Sequence, residues 1–149
     1  MNETRGLWRG KTTPKRNGYA FNNIWVSGDL IRSEGLCYIH PLANSIKVNG
    51  EIGKLVVMHK VDPSTLGECV GFPDQNDKIS FEGDIITFEY GSETIIGFVE
   101  YDKYRGAFVV DDGVHSYELG SDVFSDECEI IGNIHDNPEL LKSKNEEVK

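Results

Sequence analysis

Glu82 and Asp84 flank Gly83 and are the residues of this chain whose types most resemble a general acid and base. Carboxylate pairs of that kind work across a cleft with their carboxyls about 5 to 9.5 Å apart. Residues at i and i+2 around a glycine corner meet that requirement only through the accident of the bend. The expectation is therefore structural: Gly83 supplies a backbone conformation other residues resist, and Asp84 accepts backbone N–H bonds at the turn. Asp74, Asn76 and Asp77 have the spacing of a calcium loop, but Lys78 stands in the fifth place, where an oxygen ligand belongs, and no glycine follows it. His40, His59, His115 and His135 lie far apart, none at i, i+4 spacing or beside a cysteine. Neither G-x-S-x-G, a phosphate-binding loop nor a dinucleotide-binding glycine pattern occurs. No catalytic residue, metal or cofactor is expected.

The three cysteines, Cys37, Cys69 and Cys128, are odd in number and form no C-x-x-C pair, the pattern of reduced, buried thiols in a cytosolic protein. Cys37 sits in an apolar run, where a thiol packs as a small hydrophobe and burial raises its pKa. The N-terminus lacks an apolar stretch of signal-peptide length, and no segment approaches the about 20 apolar residues of a membrane span. A soluble, cytoplasmic protein is expected.

One feature has a functional reading. Trp8 stands among Arg5, Arg9, Lys11, Lys15 and Arg16, a set able to stack a base while its cations meet phosphates. The charge distribution opposes it. Formal net charge is −10, and up to Val61 the chain has nine basic and four acidic residues, whereas the remainder has six and 21. A basic part of net +5 precedes an acidic part of net −15. The acidic excess repels phosphate backbones, so the basic arm is better matched to the acidic part, within one chain or between copies meeting head to tail.

These residues sit on short strands. With 149 residues the chain is long enough for one domain or two small β modules, and its 16 glycines disfavour a helical bundle. The first eighteen residues read as a surface strand and loop. Tyr19 to Val26, Leu30 to Arg32, Leu36 to Pro41, Ser45 to Val48 and Lys54 to Val61 read as a meander, with Asn49-Gly50 as a two-residue hairpin turn. After the Asp62-Pro63 turn come a short strand at Cys69-Val70 and another at Ile79 and Phe81. The alternation breaks at Gly83, where a bulge or corner is expected. Strands follow at Ile85 to Tyr90, Thr94 to Tyr101, Ala107 to Val110, Val114 to Leu119 and Glu129 to Ile134. Their number and glycine corners suggest a small closed barrel or roll. Asn137 as N-cap and Pro138 at the first helical position open a short C-terminal helix or frayed tail. The expected fold is mainly β: a basic β-meander at 1–61, packed on an acidic barrel at 62–137, with a tail at 138–149.

Several of these elements together resemble the YopX family of phages and prophages. They are the turn at Asp62-Pro63-Ser64-Thr65, Val70-Gly71 followed by Asp74 to Ile79, Phe81-Glu82-Gly83-Asp84-Ile85, Ile131-Gly132-Asn133-Ile134, and Asn137-Pro138-Glu139-Leu140. Arg9-Gly10-Lys11 and Trp25 to Leu30 fit the same pattern. Phe72 and Ser80-Phe81 depart from the family's more common residues without changing their apolar or turn-compatible character. The resemblance implies an SH3-like barrel in the C-terminal half and no established activity. Pro63, Gly71, Asp74, Glu82, Gly83, Asp84, Gly132, Asn133, Asn137 and Pro138 are expected to serve structure. The expected function is a non-enzymatic interaction module of a phage or prophage, in the bacterial cytoplasm, that self-associates or binds a host or phage protein. The alternative is a nucleic-acid accessory factor using the basic arm.

Overall fold

Turn chemistry sets where each strand stops. The computed structural model describes residues 7–13, 24–41, 45–48, 51–54 and 59–141. The chain divides into two compact units, Met1–Glu68 and Cys69–Lys149.

In the first unit, β1 (Trp8–Lys11), β2 (Trp25–Ser33) and β3 (Leu36–Pro41) form an antiparallel meander, and β6 (His59–Val61) adds to the far side of β3. The expected pair of strands ending at Val26 and Arg32 is one strand, β2, which runs through Ser27-Gly28-Asp29 without interruption. Its turn to β3 uses Glu34 and Gly35, both at positive φ. Between β3 and β6, β4 (Ser45–Val48) and β5 (Glu51–Lys54) form a separate two-stranded ladder. Val48 pairs with Glu51, and the expected turn at Asn49-Gly50 lies outside the described residues. The core here is Cys37, Ile39 and Val61, flanked by Trp8, Val26, Leu30 and Leu66.

Asp62 ends this unit's last long run by capping a 3-10 turn at Pro63–Thr65. Its Oδ1 accepts from Ser64 N at 3.0 Å, and Pro63 presets the first turn residue. Thr65 is buried, and its Oγ1 accepts from Lys11 N at 2.8 Å. The turn is thereby tied to β1.

β7 (Gly67–Pro73) pairs with β1 through Gly67 and Glu68, and through Cys69 and Pro73 with β8 (Ile79–Phe81). Its register shifts between Cys69 and Pro73, around Gly71 at φ +76°. Ser80, rather than Ile79 or Phe81, is fully buried, because its Oγ donates to Phe72 O at 2.7 Å. A satisfied hydroxyl is cheap to bury.

The second unit's main sheet comprises β9 (Asp84–Tyr90), β10 (Glu93–Asp102), β11 (Ala107–Asp111), β12 (Ser116–Glu118) and β13 (Cys128–Asn133). Four strands run as a meander, and the last returns to pair with the first, giving the order β12-β11-β10-β9-β13. A 3-10 turn at Ser125–Glu127 leads into β13. The core is Ile86, Phe88, Ile95, Val99, Val110, Tyr117, Val123, Cys128 and Ile130. The mainly-β architecture is as expected. Among the described residues, β12 and β13 are the sheet's two edges and are not hydrogen-bonded to each other. At the C-terminus, Pro138 precedes a helical turn at residues 139–141, and the rest of the tail lies outside the described residues.

The three cysteines are buried as free thiols. Burial, with the nearby Asp74 and Asp126 carboxylates, pushes the Cys128 thiol up to about 11. On the order of one thiol in a thousand is then ionised at pH 8. Iodoacetamide at that pH is expected to leave Cys128 unmodified in the native chain and to alkylate it in urea. Rapid native labelling, read by mass spectrometry, would contradict its burial.

Candidate functional site

The polar residues that carry the sequence motif are turned toward backbone. Asp74 is buried at 4% exposure. Its Oδ1 accepts from the N–H groups of Asn76 and Lys78, and its Oδ2 from Ile130 N, each at 2.9 Å. Burial alone would push this carboxyl up; the N–H groups of Ile130, Lys78 and Asn76, with the Lys78 ammonium, outweigh it and hold the pKa below its ordinary 3.8. Gln75 N also donates to Cys128 O at 2.9 Å, so the 74–78 turn covers the outer edge of β13. A carboxylate saturated this way is an anchor for a strand.

Around the corner between β8 and β9 the same logic repeats. Gly83 has φ +89°; its N–H donates to Val99 O at 2.8 Å and its carbonyl accepts from Ile134 N at 2.9 Å. It is held between β10 and the end of β13. Asp84, 2% exposed, accepts from Phe81 N through Oδ2 at 2.8 Å, closing the turn. Glu82 is half-buried beside it. The residues that suggested an acid and a base thus form a corner.

The third cluster closes the unit. Asn133 Oδ1 accepts from the N–H groups of His135 and Asp136, at 3.0 and 2.9 Å. Asn137, expected as the N-cap of the following helical turn, accepts from Leu140 N through its carbonyl at 3.1 Å, and its Oδ1 accepts from Asn133 N at 3.2 Å. Gly132 permits this, since a Cβ there would come within 2.5 Å of that same Oδ1. Among the described residues, no three His, Cys, Asp or Glu side chains converge as metal ligands.

Among the described members of the basic set, Trp8 lies on one face of β1 and Arg9 and Lys11 on the other. Arg5, Lys15 and Arg16 lie outside the described residues. Trp8 packs toward the Cys37, Ile39 and Val61 core, with the Arg32 guanidinium 6.0 Å from its ring. Strand alternation sends Arg9 and Lys11 to the opposite face. There they meet an aromatic the sequence reading did not assign to the site: Trp25, opposite Lys11 in register, has the Arg9 guanidinium at 4.7 Å and the Lys11 ammonium at 5.5 Å from its ring. The Arg-x-Lys alternation puts both cations on one face of the strand, but their aromatic neighbour follows only from the register with β2.

Three features of the second unit also escaped the sequence reading. Glu100 and Asp111 share a side-chain hydrogen bond from positions diagonal across β10 and β11. Burial, then that bond and the charges of Asp111 and Asp102, raise the Glu100 carboxyl above its ordinary 4.5. A raised carboxyl contributes stability below its unfolded value and loses it as pH rises through the folded one. Glu100→Gln is therefore expected to raise Tm slightly at pH 7 and not at pH 3; equal effects at both would contradict the pairing. Second, an apolar cleft of about 240 Å³ is lined by Val70, Gly71, Phe72, Ala107, Phe108 and Leu119. Third, an open cleft of about 350 Å³ is lined by Tyr90, Glu93, His115, Ser116, Tyr117 and Asp122.

Two antiparallel-sheet units whose polar motif residues brace their own backbone define a mainly-β protein. The chain belongs to the YopX protein family, which it matches over residues 20–142. No curated protein matches its sequence. No helix among the described residues is long and apolar enough to cross a membrane.

Proposed function

We propose that this protein is a non-enzymatic interaction module encoded by a phage or prophage, acting in the bacterial cytoplasm and self-associating through complementary charge. The observation that carries this reading is the charge split, +5 up to Val61 against −15 beyond it. Large exposed apolar residues on the acidic unit, Tyr90, Tyr101, Tyr104, Val114 and Phe124, give such a contact something to bury. Head-to-tail contact between the basic unit of one copy and the acidic unit of another uses both features. The acidic unit is proposed to be an SH3-type module, supported by its four-strand meander with the last strand returned to the first.

A nucleic-acid accessory role is the second reading, favoured by Arg9 and Lys11 flanking Trp25. Those cations already lie over the ring, so a base has to displace them before stacking. Sedimentation velocity over a concentration series, in low and high salt, separates the two. Self-association weakened by salt and by Arg9→Ala with Lys11→Ala supports the first reading. A monomer at every concentration that binds a labelled oligonucleotide, with affinity falling steeply in salt, supports the second.

A further inference from the structure

The open cleft at the end of β9 has the composition of a cation receptor. Tyr90, 48% exposed, closes one side. Glu93 faces it across the β9–β10 ladder, after the two-residue turn at Gly91 and Ser92. Tyr117 forms the floor, with its ring 5.0 Å from that of Tyr90 at 64°. The floor is rigid, because Tyr117 is also held edge-to-face by the buried Phe88 at 5.3 Å. The His115 ring lies 6.4 Å from that of Tyr117. Asp122 completes the lining, and its Oδ2 accepts from Glu118 N at 2.9 Å, which fixes the carboxylate in place.

The electrostatics agree in sign. Burial pushes the Tyr117 hydroxyl up, and the Asp112 and Glu93 charges push it further. The guanidinium that reaches this strand, Arg105, donates to Ser116 O at 3.4 Å and pairs with Asp102 at 3.6 Å; it does not line the cleft. Ring faces and carboxylates both attract positive charge, and a volume of about 350 Å³ suits one long side chain with its alkyl stem against the tyrosines.

We infer that the Tyr90–Tyr117 cleft receives a lysine or arginine side chain presented by a peptide segment of a partner. The inference deepens the interaction reading and rests on it for the source of that segment. The chain's own Thr12 to Gly18, which contains Lys15 and Arg16, has the required chemistry when offered by a second copy.

The test is an NMR titration of the full chain with a synthetic peptide of residues 12–18, alongside the same peptide with glutamine in place of Lys15 and Arg16. Saturable shifts of the Tyr90 and Tyr117 ring signals are expected with the basic peptide and not with the glutamine one. Binding is expected to weaken about tenfold in Tyr90→Ala or Glu93→Gln and to persist in Tyr90→Phe, which keeps the ring. Both altered side chains are on the surface rim, so the fold is expected to survive, as the remaining spectrum will report. Unmoved tyrosine signals, equal binding of the two peptides, or indifference to Glu93→Gln would overturn the inference. Self-association with silent tyrosines removes the cleft proposal alone; peptide binding by a strictly monomeric chain removes self-association alone and leaves the cleft to another basic partner.

Discussion

Asp74→Ala is expected to destabilise the second unit by about 3 kcal/mol at neutral pH. Each buried N–H left without its acceptor costs about 1 to 3 kcal/mol. Two of the three donors to Asp74, Asn76 N and Lys78 N, belong to exposed residues of the turn, where water can replace the carboxylate. The third, Ile130 N, is buried on β13 and cannot be re-solvated without opening the strand edge. That donor sets most of the loss. The effect has a definite pH dependence. Because the folded pKa is held below 3.8, the carboxylate's contribution is complete above the ordinary value and disappears as pH falls through the folded one. Chemical denaturation at pH 7 and near pH 2 is therefore expected to show a large difference between wild type and Asp74→Ala that shrinks in acid. Asp74→Asn tests the same contact: its amide faces Ile130 N with a donor in at least one rotamer, so it should recover only part of the loss. A wild-type-like Asp74→Ala at pH 7 would contradict the anchor.

Gly97→Ala is expected to be as damaging for a different reason. A Cβ at this position would lie 2.5 Å from the carbonyl oxygen of Asp111 and 2.8 Å from Val110 Cγ1. The first of those atoms is backbone, so relief requires β10 and β11 to separate at the point where Phe98 pairs with Asp111. Overpacking of well-packed sites costs about 1 to 3 kcal/mol, and a backbone clash belongs at the upper end. For a unit of this size, thermal unfolding should shift downward by on the order of 10 °C. A shift of a degree or two would mean that the strands are farther apart than described.

These two sites show what was legible before the structure. Turn chemistry was: Asp62-Pro63 caps a 3-10 turn and Gly83 turns a corner, because short-range geometry is written in adjacent residues. Gly97 was not, since a glycine inside a strand signals close approach only once the approaching backbone is known. The burial of Ser80 is another such case; it depends on the Phe72 carbonyl eight residues away. Arg9 and Lys11 meet Trp25 rather than Trp8, because which face a strand buries depends on its register with its neighbours. The Tyr90 cleft joins residues from β9 and β12, and nothing local in either strand announces the other.

The turn residues Asp74, Gly83 and Asp84 brace the backbone of the second unit. Amide hydrogen exchange of the native chain tests this directly. Ile130, Gly83 and Ile134 are predicted to be protected like the amides of the central strands, and Asp74→Ala is predicted to release Ile130 first. Exchange of Ile130 and Gly83 as fast as that of an exposed turn amide such as Ser92 would contradict it.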